Sequence, residues 1–312
     1  MHGSIVHRPH AAVHRPDAAP SEAPSHRSGK RQRLASVLVV SFIAVVAAGT
    51  LTVVSPAEQA LGATRAPRAV IIVGPSSGST GEYLAEGRLF AKQAERAGMR
   101  VTRVFHPRAT WARVRPALQG ANLVVYFGHG NGWPSPYAPF QEDTKNGFAL
   151  NRYDGASSYS HAYYGGNVIR RQVRLARNAV IILYRACYTA GNGEDWHRIP
   201  SQRVALKRVD NFAAAFLHRN VRARVVMAFG PKQWVNLAAA LMRPGRTMNQ
   251  IFQIRSAKPG WRMSGWMGRH DLYRQSRRSP GAKIHLDVHA TVGYARAITG
   301  DLGMTTRQWA GR

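Results

Sequence analysis

Leu123-Val124-Val125-Tyr126-Phe127-Gly128-His129-Gly130 is five apolar residues that end in a histidine between two glycines. A second run, Ala179-Val180-Ile181-Ile182-Leu183-Tyr184-Arg185-Ala186-Cys187, ends in the only cysteine of the chain. Continuous apolar runs of this length read as strands buried on both faces, the pattern of a parallel sheet covered by helices. In such sheets functional groups gather beyond the carboxyl ends of the strands. Both runs therefore deliver a reactive side chain to the same edge, and as successive strands of the pattern they are expected to be neighbours.

The elements around them follow the same alternation. Ala69–Val73 is a short apolar strand, followed by a Gly/Ser-rich turn and a helix whose buried face is Tyr83, Gly87, Phe90, Ala91, Ala94 and Ala97. Val101–Phe105 is a second strand, and Thr110 opens a short helix through Leu118 that contains Pro116. Beyond His129 a polar and aromatic excursion runs from Asn131 to Tyr164, with a short strand at Gly147–Leu150. Loops of that length inside a domain are usually functional. A helix over Asn167–Arg177 leads to the cysteine strand, and Asp210 is expected to cap a helix ending at His218. Arg224–Phe229 is a strand, Trp234–Met242 and Met248–Ile254 are helices, and the tail offers one strand, Lys283–Val288. The expected class is α/β, a mainly parallel sheet with helices on both faces.

Upstream, residues 1–33 lack apolar periodicity and are expected to be disordered and basic. Leu34 to Val54 contains no charged residue over about the ~20 positions a membrane helix needs. Arg27, Lys30, Arg31 and Arg33 precede it, so the positive-inside rule puts the main domain outside the cytoplasm. An uncleaved cell-membrane anchor is the favoured reading, and a cleaved signal with secretion is the alternative, since Ala57, Ala60 and Ala63 offer small residues for cleavage. The expected organisation is thus 1–33 basic segment, 34–54 transmembrane anchor or signal, 55–67 linker, 68–256 α/β domain and 257–312 an extension packing on that domain.

Composition narrows the chemistry. The 312-residue chain has a formal charge of +29, but its arginines are scattered, which fits a solvated surface better than a specific nucleic-acid stripe. One cysteine excludes an internal disulfide and a zinc site built from several thiolates. His129 has no His or carboxylate partner at ligand spacing, so neither a metal nor a cofactor is expected.

Three chemistries remain. The first uses Cys187 as nucleophile and His129 as its base, because a thiol near pKa ~8.5 needs help to react at neutral pH. Gly130 would let backbone approach a substrate and offer its N–H to an oxyanion. Here the strand ending in His-Gly and the later strand ending in Ala-Cys resemble the caspase, legumain and gingipain group of cysteine peptidases. The two residues stand 58 positions apart, near the ~50 of caspases. The resemblance spans about Arg68 to Ile254 and implies a caspase-like αβα sandwich that cleaves peptide bonds, or a relative that keeps the fold without the activity. It implies Cys187 as nucleophile, His129 as proton-transfer residue and Gly130 as oxyanion donor. Arg185 stands where caspases have glutamine, and Thr189 where they have glycine, so specificity for aspartate does not carry over. Glu194 and Asp195 follow the cysteine loop and would instead suit a basic residue of a peptide substrate, with Trp133 as a further contact. The second chemistry is a serine hydrolase built on Ser76 in Gly74-Pro75-Ser76-Ser77-Gly78, a strand-to-helix G-x-S-x-G. The third is a non-catalytic envelope binding module that uses the aromatic excursion. Amino-terminal sequencing of the mature protein separates the two localisation readings: the anchor predicts that residues 34–54 are retained, and a new terminus between Ala57 and Thr64 would contradict it.

Overall fold

A computed structural model describes residues 65–137, 139–230, 235–254, 270–289 and 292–311. The expected disordered segment 1–33, the 34–54 anchor and most of the 55–67 linker lie outside the described residues. Among the described residues no helix is long and apolar enough to cross a membrane.

The fold is mixed α/β around one eight-stranded sheet. In chain order its strands are β1 (Arg68–Val73), β2 (Arg100–Phe105), β3 (Leu123–Phe127), β6 (Ala179–Tyr184), β7 (Ala223–Phe229), β8 (His270–Gln275), β9 (Lys283–His289) and β10 (Gly293–Gly300). A separate hairpin of β4 (Phe148–Asn151) and β5 (His161–Tyr164) lies in the excursion after β3. The sheet order is β2-β1-β3-β6-β7-β10-β9-β8. The first five strands are parallel, and the last three form an antiparallel extension. β3 and β6, which end at the histidine and cysteine turns, are direct neighbours, paired from Leu123↔Val180 to Phe127↔Tyr184.

Alternation within each strand explains the layers. Ile71, Val125, Ile182 and Met227 face one side, with Phe90 and Ala91 of α1 (Thr80–Arg96) and with α5 (Ala238–Met242), α6 (Met248–Phe252) and α7 (Thr306–Ala310). Val70, Val124, Ile181 and Val226 face the other, under α2 (Trp111–Leu118), α3 (Gly166–Gln172) and α4 (Gln202–Leu217). Each of these strand side chains is buried, worth about 1.5–3 kcal/mol apiece. At the carboxyl end the paired residues Phe127, Tyr184 and Phe229 stack in a row, with centroids 4.9 and 5.0 Å apart. That row lies in the core on the α1 face, against Phe90 and Phe252.

Several local expectations change. α4 starts at Gln202, capped by Ser201, whose hydroxyl accepts from the Val204 N–H. Asp210 is therefore mid-helix, and its carboxylate accepts from Ser276 Oγ (2.5 Å) and the Arg277 N–H (2.8 Å), tying the helix to the tail. Thr110 precedes α2 without a side-chain cap bond. α3 ends at Gln172, and the chain extends into Val173. Of the helix expected at Trp234–Met242, only Ala238–Met242 is helical among the described residues. The tail holds three strands where one was expected. Their shared face buries polar groups: Arg296 lies between the Phe229 and Phe252 rings and 3.4 Å from Asp287, and His285 reaches Asn249 and Asp271.

Arg185 ends β6 in the left-handed region, with φ 64°. Its N–H donates to the Phe229 carbonyl, and its guanidinium pairs with Glu82 (2.8 Å) and Glu86 of α1. Arg185 and Glu86 are both largely buried. Removing one member of such a pair strands the other charge. Arg185→Ala should cost about 2–4 kcal/mol in urea unfolding, and Glu86→Ala in the same chain should recover part of it. A loss within experimental error would contradict the clamp.

Candidate functional site

The site begins with two loops that leave β3 and β6 on the same side and run backbone against backbone. A Cβ on Gly130 would stand 2.0 Å from the Cys187 carbonyl oxygen and 2.7 Å from its nitrogen. A Cβ on Gly132 would meet the Tyr188 Cβ at 2.3 Å. Only glycine permits both approaches. Cys187 is flanked by two residues in the left-handed region, Arg185 and Tyr188 (φ 68°). Such backbone is costly for residues with a Cβ and gathers at functional sites.

His129 is half-buried one residue before the Gly130 contact. Its carbonyl lies 2.9 Å from the phenol oxygen of Tyr126, fully buried on β3. That phenol also accepts from the Ala149 N–H (3.0 Å) of β4, so it ties the histidine turn to the hairpin. The second strand of the hairpin brings in His161, whose ring lies 5.1 Å from that of His129. Burial holds the His129 imidazole below its ordinary pKa, the nearby His161 pushes the same way, and Glu194 pulls upward. His129 is thus neutral at pH 7.

Cys187 is the opposite of an activated thiol at rest. Burial pushes it up to about 12, with the Glu194 and Asp195 carboxylates adding in the same direction. Glu194 acts on both the histidine and the cysteine, which sets all three in one neighbourhood. Its carboxylate is held by two phenols, accepting from Tyr188 (2.9 Å) and Tyr137 (3.0 Å). Half-buried Tyr163 is raised to about 12 by desolvation, then by Glu194 and Cys187, and so borders the same space. At rest Cys187 is a protonated thiol and His129 a neutral imidazole, each under the field of Glu194.

The other expected residues fall out as follows. Asp195 is exposed, beside an exposed Trp196. Trp133 stacks on Phe140 (5.5 Å), and its backbone bonds Asn146 and Asn211, so the loop is fastened to α4 around this ring. Arg208 strengthens that fastening through the Pro134 and Gly191 carbonyls. Ser76 is buried after β1, and its hydroxyl has no hydrogen-bond partner among the described residues, so no general base is bonded to it there. No group of three or more metal-ligating side chains is present among the described residues. Tyr126 and His161 were not singled out in sequence: the first reads as a core strand residue, and the second sits in the excursion without periodicity, whose aromatics, Tyr163 among them, were read as a binding surface.

Comparison with known proteins adds little. The sequence matches no family model and no curated protein. Among solved structures it is similar to a crystal structure of protein GSU0716 from Geobacter sulfurreducens, at 14% identity and TM-score 0.28, over 53% of this chain and 72% of that one.

The high thiol pKa has a direct readout, since Cys187 is the only cysteine. Alkylation by iodoacetamide should climb roughly tenfold per pH unit from 7 to 10, because only the minor thiolate reacts. Glu194→Gln should move that curve to lower pH. A plateau setting in near pH 8.5 would mean an ordinary thiol.

Proposed function

We propose that this chain is a caspase-like cysteine peptidase, with Cys187 as nucleophile and His129 as proton-transfer residue. The observation that carries the reading is the backbone contact of Gly130 with Cys187 at the carboxyl ends of adjacent parallel strands, with Glu194 acting on both reactive side chains. The proposed localisation is the outer side of a membrane, anchored through residues 34–54.

In the proposed reaction the Cys187 sulfur attacks a peptide carbonyl while its proton passes to neutral His129. The carbonyl oxygen takes the negative charge within reach of the Gly130 N–H. The tetrahedral adduct then collapses, the imidazolium protonates the departing amine, and a thioester remains. Water, deprotonated by His129, hydrolyses that thioester and restores the thiol. A thiol raised chiefly by burial is slow, and the carboxylate field slows it further. A basic substrate side chain set against Glu194 and Asp195 would relieve that field, because opposite charge lowers the local negative potential. Substrate of that kind would thus assist its own cleavage. The imidazole must be neutral to accept the proton, and burial lowers its pKa, so activity should fall only at a pH below the ordinary histidine value of about 6.5.

Cys187→Ala should abolish labelling by a peptidyl chloromethyl ketone carrying arginine or lysine next to the electrophile, together with any hydrolysis of the matching fluorogenic peptide. Hydrolysis undiminished in that variant would sink the proposal. The exposed rings of Tyr159 and Trp196 favour a second reading, a non-catalytic peptide- or glycan-binding surface, for which ligand capture would survive Cys187→Ala.

A further inference from the structure

At the opposite end of the sheet, an open cavity of about 490 Å³ lies among Arg177, Arg219, Arg222 and Arg224. It sits beside the amino ends of β6 and β7, where the chain enters these strands from the α3 and α4 sides. β6 spans six residues, so about 20 Å of strand separates this cavity from the Cys187 end. Asp301 is the only acid in its lining, and that carboxylate is already taken by Arg224, at 3.1 and 3.3 Å. Arg177, Arg219 and Arg222 are exposed and make no ion pair among the described residues. Arg103, Arg113, Arg170 and Arg171, elsewhere on the domain, each hold a carboxylate.

Two further observations belong to this end. Asn178 and Arg222, both lining the cavity, are held at positive φ, 62° and 75°. Asparagine tolerates that conformation, but arginine adopts it at a cost. Nearby His218 is held below its ordinary pKa by burial and then by Arg170, Arg219 and Arg174, as a positive local potential requires.

We propose that this cavity is a binding site for a compact oligophosphate, a ligand of adjacent phosphoryl groups recognised through its oxygens. Guanidinium forks match phosphate oxygens in pairs, and several of them around one hollow favour a multiply charged anion. The volume lies in the range of small-molecule sites. No aromatic ring lines the cavity, so neither a nucleobase nor a sugar face has a stacking platform there. The site is independent of the peptidase proposal.

The test is calorimetric titration of the full chain with sodium tripolyphosphate at physiological salt. One saturable site is expected, at least tenfold tighter than for citrate, a tricarboxylate without phosphoryl groups. Arg219→Ala with Arg222→Ala should weaken tripolyphosphate at least tenfold. Removing equal charge at two exposed helix positions, Arg88→Ala with Arg96→Ala, should change it less than twofold. Arg219→Lys keeps the charge and loses the fork, so it should fall between parent and double variant with its thermal midpoint unchanged. Equal loss in both double variants, no loss in either, or citrate binding as tightly as tripolyphosphate would overturn the site.

Discussion

Everything at the carboxyl edge of this sheet depends on one steric allowance: the chain after β3 passes against the chain after β6 with no side chain between them. Gly130 lies on the Cys187 backbone and Gly132 on Tyr188, closer than any Cβ permits. The approach is possible because β3 and β6 are neighbours in parallel register and their carboxyl ends are fixed by the stacked rings of Phe127, Tyr184 and Phe229. The turn after β6 is held in turn by Arg185, whose left-handed backbone redirects the chain and whose side chain anchors on α1. The residue that breaks the caspase-type local sequence is thus a structural clamp here, with its charge engaged by Glu82 and Glu86.

The electrostatics of the site point away from a permanently charged dyad. Burial and two carboxylates keep the thiol protonated, and burial with a second histidine keeps His129 neutral. Glu194 is not a loosely solvated acid; two phenols fix its position. A fixed negative charge beside a thiol suppresses nucleophilicity until a cation answers it. Burial is the larger cause of the raised thiol, and the carboxylates that add to it would favour a basic substrate in the proposed reaction. This couples the proposed specificity to the proposed chemistry through one residue.

Most of the parallel half of the fold was legible in the sequence because β1, β3 and β6 are buried on both faces, so Val70–Val73, Val124–Phe127 and Ile181–Tyr184 stay apolar without interruption. The antiparallel extension was mostly hidden. His285, Asp287 and Arg296 face a buried layer there and pair with one another's neighbours, so polarity no longer marks the solvent side. Asp210 misled for a related reason: a helix-cap residue type sits mid-helix because it receives the tail turn at Ser276 and Arg277. At the site, His129, Gly130 and Cys187 could be read from strand ends. Tyr126 and His161 could not, since their roles come from a hairpin packed over β3, a contact no local spacing encodes.

The most direct test of the central claim is a crystal structure of the protein bound to a peptidyl aldehyde carrying arginine at its reactive end. A covalent bond from Cys187 Sγ to the aldehyde carbon is expected. The adduct oxygen should lie within hydrogen-bond reach, about 3.2 Å or less, of the Gly130 nitrogen or a His129 ring nitrogen. An uncombined aldehyde, or a His129 ring turned away from the sulfur by more than ~7 Å with no bridging water, would contradict the claim.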